Sequence, residues 1–239
     1  MQFVKFNSVK ESIITLVFIF LCLSENRAQT VILSKSVSDT AESNFGPNKK
    51  HFLHFYLGYG FVAGKNMSGS EINYGRSGGF TYGIRYKMKI SGLSSFGFDI
   101  GYKGANYSLS QTAGKVFPDG TQHKSETLSC PSLELALYNR INFDIKRGNY
   151  MGKFLDIGIA YNRYFWITHV TNDDLPNGTE VEVTTTKLKY VEYNNYTVFA
   201  RLGINKYIFT AGYRLMPLFK NAVYNEFPPF IIGMQLGFY

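Results

Sequence analysis

The chain has 239 residues, of which 45% are hydrophobic, 17% are aromatic and only 18% are charged. So many aromatic residues with so few charges exclude intrinsic disorder and disfavour coiled coils and long helical bundles. Lys and Arg outnumber Asp and Glu by 25 to 17, for a formal net charge of +8. Because the basic residues form no dense run, the sequence does not predict a nucleic-acid-binding surface.

The first 28 residues have the pattern of an export signal. Lys5 and Lys10 precede an apolar run, and Ala28 is a small residue suited to cleavage. The run is shorter than the ~20 residues that span a bilayer as a helix. We therefore expect a signal peptide over 1–28 rather than a membrane anchor, followed by a periplasmic N-terminal linker over 29–49.

Beyond the linker, apolar and polar residues alternate with the period of two that is typical of β-strands with one apolar face. The clearest segment is 80–90, where Phe80 and Tyr82 share the apolar face while Arg85 and Lys87 lie on the other. Eight such segments are predicted, at 51–63, 80–90, 96–107, 132–143, 154–169, 194–205, 207–216 and 230–239. The connectors between them are alternately long and short.

Strand glycines indicate which face points inward, because nearly all of them share the polar face. Glycine weakens a strand, but the interior of an eight-stranded barrel is only just wide enough for side chains. The polar face is therefore predicted to line the lumen, with a polar network of Arg85, Lys87, Asp99, Lys103, Glu134, Arg140, Asp156, Arg201 and Arg214. The apolar face is predicted to meet lipid, through residues that include Phe80, Tyr82, Phe96, Phe98, Phe209, Tyr213, Phe230 and Phe238.

The lumen charges are predicted to form ion pairs, because burial without partners is costly. In the hairpin at 91–95, pairing Ile90 with Phe96 places Lys87 opposite Asp99. The excess of cations also permits a basic conduit or an anion site, although eight strands leave little room for a channel. The histidines lack the spacing of a zinc site, so neither a metal nor a cofactor is predicted.

Two barrel orientations are compatible with the alternation. With the apolar face inward, the chain would be a secreted, soluble, lipocalin-like ligand-binding barrel; each strand carries too many large apolar residues for so narrow an interior. With the apolar face outward, no strand edge can stay unpaired in lipid. The sequence thus predicts an all-β, eight-stranded antiparallel up-and-down transmembrane β-barrel over 50–239. Short periplasmic turns and long outer loops place both termini on the periplasmic side.

The signal ending at Ala28-Gln29, the eight amphipathic strands and the terminal Phe238-Tyr239 resemble the small outer-membrane β-barrel proteins of Bacteroidetes, the broad PorT-like group. The resemblance covers roughly residues 50–239. It implies an integral location in the outer membrane of a Gram-negative bacterium. The terminal pair is expected to be the assembly signal that the barrel-assembly machinery recognises.

For function, the sequence predicts an envelope protein with a structural or interaction role and no catalysis. Its expected partners are outer-membrane lipid and an extracellular or envelope protein, which the long loop at 170–193 could bind. The alternative is a lipid-modifying outer-membrane enzyme that uses His169, with Thr168 and Thr171 nearby but without a matching acid. At the periplasmic rim, cations either meet phospholipid head groups or keep the rim soluble: Lys49, Lys50, Lys146, Arg147, Lys153 and Lys206.

Overall fold

Twelve strands account for nearly all regular structure in the computed structural model, which describes residues 43–220 and 224–239. They are β1 (His51–Ala63), β2 (Gly78–Lys89), β3 (Ser94–Lys103), β4 (Asn106–Ser108), β5 (Ser125–Ser129), β6 (Ser132–Asn142), β7 (Lys153–Tyr164), β8 (Thr168–Asp174), β9 (Glu180–Thr186), β10 (Asn194–Ile204), β11 (Tyr207–Arg214) and β12 (Phe230–Phe238). A single 3-10 turn, Tyr74–Arg76, precedes β2.

Eight of these strands close into the predicted barrel. The order β1-β2-β3-β6-β7-β10-β11-β12 is antiparallel throughout, and β12 pairs back onto β1. Each barrel strand pairs with the barrel strand before it along the chain. The prediction of an all-β, eight-stranded antiparallel up-and-down barrel is therefore confirmed.

The other four strands continue the barrel wall at the end where the long connectors lie. β4 follows β3, β5 precedes β6, β8 follows β7 and β9 precedes β10. They pair in the order β4-β5-β8-β9, and β4 touches β2 where Gly78 opposes Asn106. We call this four-stranded sheet the outer wall. It extends one half of the barrel circumference beyond the barrel itself.

The outer wall corrects the sequence prediction, which has single strands over 96–107 and 154–169. The first is divided at 104–105, and the second at 165–167, where Trp166 has a φ of 48°. The predicted loops contain β5, β9 and most of β8. Along β9 only Val181 and Val183 alternate with polar residues, and nearly all its residues are exposed, so its apolar pattern is shorter than that of the barrel strands.

The register of the β2–β3 hairpin also differs from the prediction. Arg85, rather than Lys87, opposes Asp99, and Lys87 opposes Gly97. The turn is tighter than the predicted five-residue loop, because the backbone carbonyl of Ser94 accepts hydrogen bonds from the amides of Ile90 and Ser91. A shift of two residues keeps every side chain on its face. Each side chain therefore stays on its predicted face, but Lys87 does not pair with Asp99.

The predicted signal peptide at 1–28 and most of the predicted linker at 29–49 lie outside the described residues. The part of the linker that the structure describes lies at the end of the barrel with the short turns. Within the described ranges, no helix has the length and apolar character needed to cross a bilayer.

Aromatic rings cover strand glycines on the inner face of the barrel. The pairs are Tyr56 on Gly83, Tyr138 on Gly97, Phe154 on Gly203 and Phe199 on Gly158. A Cβ atom on Gly158 would lie 2.6 Å from Cζ of Phe199, and one on Gly83 would lie 2.8 Å from the Tyr56 hydroxyl. The glycines thus make room for the rings that fill the lumen.

We expect Gly158→Ala to lower the free energy of unfolding by about 1–3 kcal/mol, because the new methyl group overpacks the lumen against Phe199. Urea unfolding of the purified chain in detergent micelles measures this change. Gly114→Ala is the control, since a Cβ there has no neighbour within 4 Å. Equal stability of the two variants would contradict the packing described here.

Candidate functional site: a charged lumen inside an apolar belt

Six side chains form one network of hydrogen bonds and ion pairs across the lumen, the central cluster: Gln235, Arg85, Asp99, Arg201, Asp156 and Arg140. Arg85 Nε donates to both carboxylate oxygens of Asp99 at 3.0 and 3.1 Å. Arg140 binds Asp156 through Nε and Nη2 at 2.6 and 2.9 Å. Arg201 joins the pairs, with Nη2 2.6 Å from Asp99 Oδ2 and Nη1 3.9 Å from Asp156 Oδ2. Arg85 Nη2 reaches Gln235 Oε1 at 2.9 Å, so six of the eight barrel strands are cross-linked.

Strand register places this cluster at one level of the barrel. Arg85 directly opposes Asp99, and Asp156 lies between Arg140 and Arg201 on its two neighbouring strands. The five charged side chains are at most 4% exposed. Opposite charges directly across a strand pair stabilise a sheet. In so dry a lumen each of them needs its partner, since an unpaired buried charge costs several kcal/mol.

Each arginine of the central cluster also stacks on an aromatic ring. The pairs, with the distance from Cζ to the ring centroid, are Arg85 on Tyr56 (4.5 Å), Arg140 on Phe154 (3.6 Å) and Arg201 on Phe199 (4.0 Å). A desolvated cation over a ring face is stabilised by about 2 kcal/mol. This stacking offsets the cost of burying the Nη1 atoms of Arg85 and Arg201, which have no hydrogen-bond partner among the described residues.

Other predicted lumen residues lie nearer the outer wall. Lys103 Nζ is 3.6 Å from Glu134 Oε2, and both side chains line a cavity of about 60 Å³. Arg214 donates to Glu226 Oε2 at 3.0 Å and to the backbone carbonyl of Phe227 at 2.9 Å. Lys103 and Glu134 therefore form a separate pair, whereas Arg214 holds the long connector before β12.

The mouth at the short turns is closed by the segment before β1. Lys87 Nζ donates to the backbone carbonyls of Pro47 and Lys49 at 3.0 and 2.9 Å, and Lys89 Nζ reaches Asn48 Oδ1 at 3.1 Å. The ammonium group of Lys87 therefore binds backbone carbonyl groups, in place of the predicted Asp99. Just inside this mouth lies a small apolar cluster of Phe52, Met151, Phe154 and Ile208.

The opposite mouth is closed by aromatic residues from the long connectors. Phe117 packs 4.4 Å from Phe219 and 5.3 Å from Phe227, and Tyr107 packs 4.8 Å from Phe227, measured between ring centroids. Between the two closures the lumen retains cavities of about 60 and 10 Å³. These volumes are far below the ~300–1,000 Å³ of ordinary ligand pockets.

The aromatic side chains on which the arginines stack were not predicted from the sequence. Phe154 and Phe199 each lie two residues from a cluster charge, Asp156 and Arg201, and so share its face of the strand. Large aromatic residues on a face that is otherwise charged and rich in glycine are the signal that would have identified them.

The outside of the barrel is a belt of exposed apolar side chains. All eight residues predicted to face lipid are exposed: Phe80, Tyr82, Phe96, Phe98, Phe209, Tyr213, Phe230 and Phe238. Along β1, outward apolar residues run from Leu53 to Phe61, which is about 27 Å of strand at ~3.4 Å per residue. A strand tilt of ~40° reduces this to about 20 Å along the barrel axis, close to the ~25 Å band of outer-membrane barrels.

Tyrosines gather where the belt approaches the outer wall. Six barrel strands place one within a few residues of that end: Tyr59, Tyr82, Tyr102, Tyr161, Tyr196 and Tyr213. Tyr82 opposes Tyr102, and Tyr161 opposes Tyr196, with ring centroids 5.1 and 5.5 Å apart. Trp166, the single tryptophan of the chain, follows β7 there and is 83% exposed. Such a girdle is typical of a membrane–water interface.

His169 has an acid partner that the sequence analysis did not find. Its Nε2 is 2.7 Å from Glu126 Oε1 across the β5–β8 pair. Oε2 of the same carboxylate binds Lys115 Nζ at 2.5 Å and Gln111 Nε2 at 2.8 Å. In the described ranges no hydroxyl or thiol hydrogen-bonds to His169, as an activated nucleophile would. The cluster has the geometry of an anchor that holds 109–123 against the outer wall.

Metal-binding geometry is absent from the described part of the chain, where no three His, Cys, Asp or Glu residues could hold an ion together. Fold and site define a closed eight-stranded antiparallel β-barrel with a charged, filled lumen and an apolar exterior. No protein-family model, curated protein or solved structure matches the chain. The resemblance to the PorT-like group therefore stays a prediction.

We expect Asp156→Asn to destabilise the barrel by about 3–5 kcal/mol, because it leaves Arg140 buried without its carboxylate and weakens the link to Arg201. Urea unfolding in detergent micelles measures the loss. Asp174→Asn is the matched control, since its pair with Lys124 is exposed and screened by solvent. Similar losses in both variants would show that the central cluster adds nothing to stability.

The stability of the segment 109–123 should depend on pH. Burial opposes ionisation of Glu126, but hydrogen bonds from His169, Lys115 and Gln111 outweigh it and hold the pKa of this carboxyl below its usual value. The stabilisation is complete above the unfolded-state pKa of about 4.3 and is lost as the pH falls through the lower folded-state pKa. The protection factors of the amides in 109–123, which correct for the slower intrinsic exchange in acid, should therefore fall as the pH is lowered.

Glu126→Gln provides the control for this effect. The variant should have lower protection factors than the wild type in 109–123 at pH 7, and these should fall less on acidification. Unchanged protection of this segment in Glu126→Gln at pH 7 would rule out the anchoring role.

Proposed function

We propose that the chain is an integral outer-membrane β-barrel with a structural or interaction role and no catalysis, which presents its outer wall for recognition. The observation that carries the proposal is the polarity of the barrel, with charges paired inside and an apolar belt outside. Monomers in water rarely expose a continuous apolar surface of this extent. Outer-membrane barrels have just this distribution.

A closed barrel alone also fits a lipocalin-like protein, and the contents of the lumen argue against that alternative. A soluble barrel that binds an apolar ligand needs an apolar interior with a sizeable pocket. Here the described cavity of about 60 Å³ is lined in part by Lys103, Glu134 and Arg201. The large apolar side chains that would line such a pocket point outward instead.

The proposed topology places the outer wall outside the cell and both termini in the periplasm. Phe238, which is exposed and opposes Phe55, and Tyr239, whose hydroxyl donates to Asn205 Oδ1 at 2.6 Å, are the proposed assembly signal for the barrel-assembly machinery. At the outer wall, β9 is the last strand of the described sheet. Its free edge could accept a strand from an extracellular or envelope protein.

The lipid-modifying enzyme is the weaker alternative. The pair of His169 and Glu126 supplies a base and an acid, but Lys115 and Gln111 already occupy the second carboxylate oxygen. Release of fatty acid from lipopolysaccharide by the purified protein, abolished by His169→Ala, would establish catalysis in place of the role proposed here.

The decisive test is a charge placed on the belt. Ile100 lies at mid-belt between Ile84 and Leu135 and is 49% exposed. We expect Ile100→Arg to destabilise the barrel in lipid vesicles by about 2–4 kcal/mol, because the guanidinium would enter hydrocarbon. Urea-dependent folding into phosphatidylcholine vesicles, followed by the heat-modifiable gel mobility of the folded form, measures this loss.

Thr185→Arg, on the exposed strand β9, introduces the same charge outside the belt and should leave folding into vesicles unchanged. A soluble barrel makes the opposite prediction, since Ile100→Arg would then improve solubility at no cost. The membrane proposal fails if the processed chain stays folded and monodisperse in buffer without detergent.

A further inference from the structure

The net charge of the chain is unevenly distributed along the barrel axis. Among the described residues, the outer-wall end carries nine Lys or Arg and nine Asp or Glu, so it is balanced. The short-turn end carries seven cations and one acid, Asp144. The cations are Lys49, Lys50, Lys89, Lys146, Arg147, Lys153 and Lys206. Most of the excess positive charge therefore lies at one end of the molecule.

Four of these cations are exposed, and none of the four forms an ion pair within the described ranges: Lys50, Lys146, Lys153 and Lys206. We call these four the basic rim. Arg147 differs from them because it is buried and holds its turn together, donating to the backbone carbonyls of Tyr150 and Asp144 at 2.7 and 2.8 Å. The carboxylate of Asp144 accepts a hydrogen bond from the backbone amide of Lys153.

Exposed apolar side chains lie among the lysines. Leu93, Phe143 and Ile145, in the two longer turns, are each about half exposed. Lys206 Nζ lies 5.6 Å from the ring centroid of Tyr207. A rim that served only solubility would not expose large apolar residues at its turns. Apolar groups interleaved with lysines suit the boundary between acyl chains and head groups.

We propose that the basic rim binds the phosphate groups of anionic phospholipids in the leaflet at the short-turn end. This inference rests on the membrane location proposed above. Lysines beside a membrane surface are attracted by anionic head groups, and the acyl chains of the same lipids would cover Leu93, Phe143 and Ile145. An acidic protein could pair with the lysines, but it would leave these apolar turn residues in water.

The test compares two variants of identical charge. The rim variant is K50Q/K146Q/K153Q/K206Q, and the matched control is K65Q/K187Q/K189Q/K220Q at the outer-wall end, where all four lysines are exposed. The full processed chain, in a non-ionic detergent, is titrated with phosphatidylglycerol or phosphatidylcholine. Bound lipid is counted by native mass spectrometry.

We expect wild type and control to bind phosphatidylglycerol at least ten times more tightly than phosphatidylcholine. The rim variant should lose this preference, and each single Lys→Gln change should lower it by up to about fivefold. The charge-retaining variant K50R/K146R/K153R/K206R should keep it. Should the rim variant fail to fold, the four single Lys→Gln variants must show the loss in steps.

Three results would overturn the inference: no preference in the wild type, an equal loss in rim variant and control, or displacement of phosphatidylglycerol by soluble polyglutamate, which would indicate an acidic polypeptide instead. Folding into pure phosphatidylcholine vesicles separates this inference from the proposed function. A wild-type chain that inserts there but shows no lipid preference overturns only the basic rim's role, whereas failure to insert overturns the membrane location.

Discussion

Eight strands enclose a space that their own side chains nearly fill, and every charge placed there has to find its partner inside it. The central cluster meets this constraint at one level of the barrel, where Asp99 and Asp156 are shared by three arginines. Glycine, aromatic ring and guanidinium lie in successive layers from wall to centre. The same arrangement that satisfies the charges also fills the volume, in agreement with the small lumen cavities of about 60 and 10 Å³ among the described residues.

The apolar exterior of the barrel is a consequence of its polar interior. Because the lumen takes the polar side chains, alternation turns the large apolar side chains outward on every barrel strand. In the proposed membrane location, lipid covers this belt and the tyrosine girdle marks one of its edges. The two ends then differ. One end carries the outer wall, where positive and negative charges balance, and the other carries tight turns with the basic rim and exposed apolar groups.

In the function proposed above, recognition and lipid anchoring lie at opposite ends of the barrel. The barrel supplies a cross-linked wall, and the outer wall extends half of it with strands whose edge ends at β9. Inside the outer wall, the buried pair of Glu126 and His169 orders the connector at 109–123. Its role is one of position, since it keeps a long loop against a sheet that would otherwise have a bare inner face.

The alternating pattern of the sequence determined the number of barrel strands and which side chains point into the polar lumen, because one-sided burial has a period of two. It could not determine register, since a slip of two residues preserves both faces; Arg85 rather than Lys87 therefore meets Asp99. Nor could it reveal β9, which is exposed on both sides, or the meeting of His169 with Glu126. Pairing partners distant in sequence are decided by turn geometry and by the closing of the barrel, and these exist only in the folded chain.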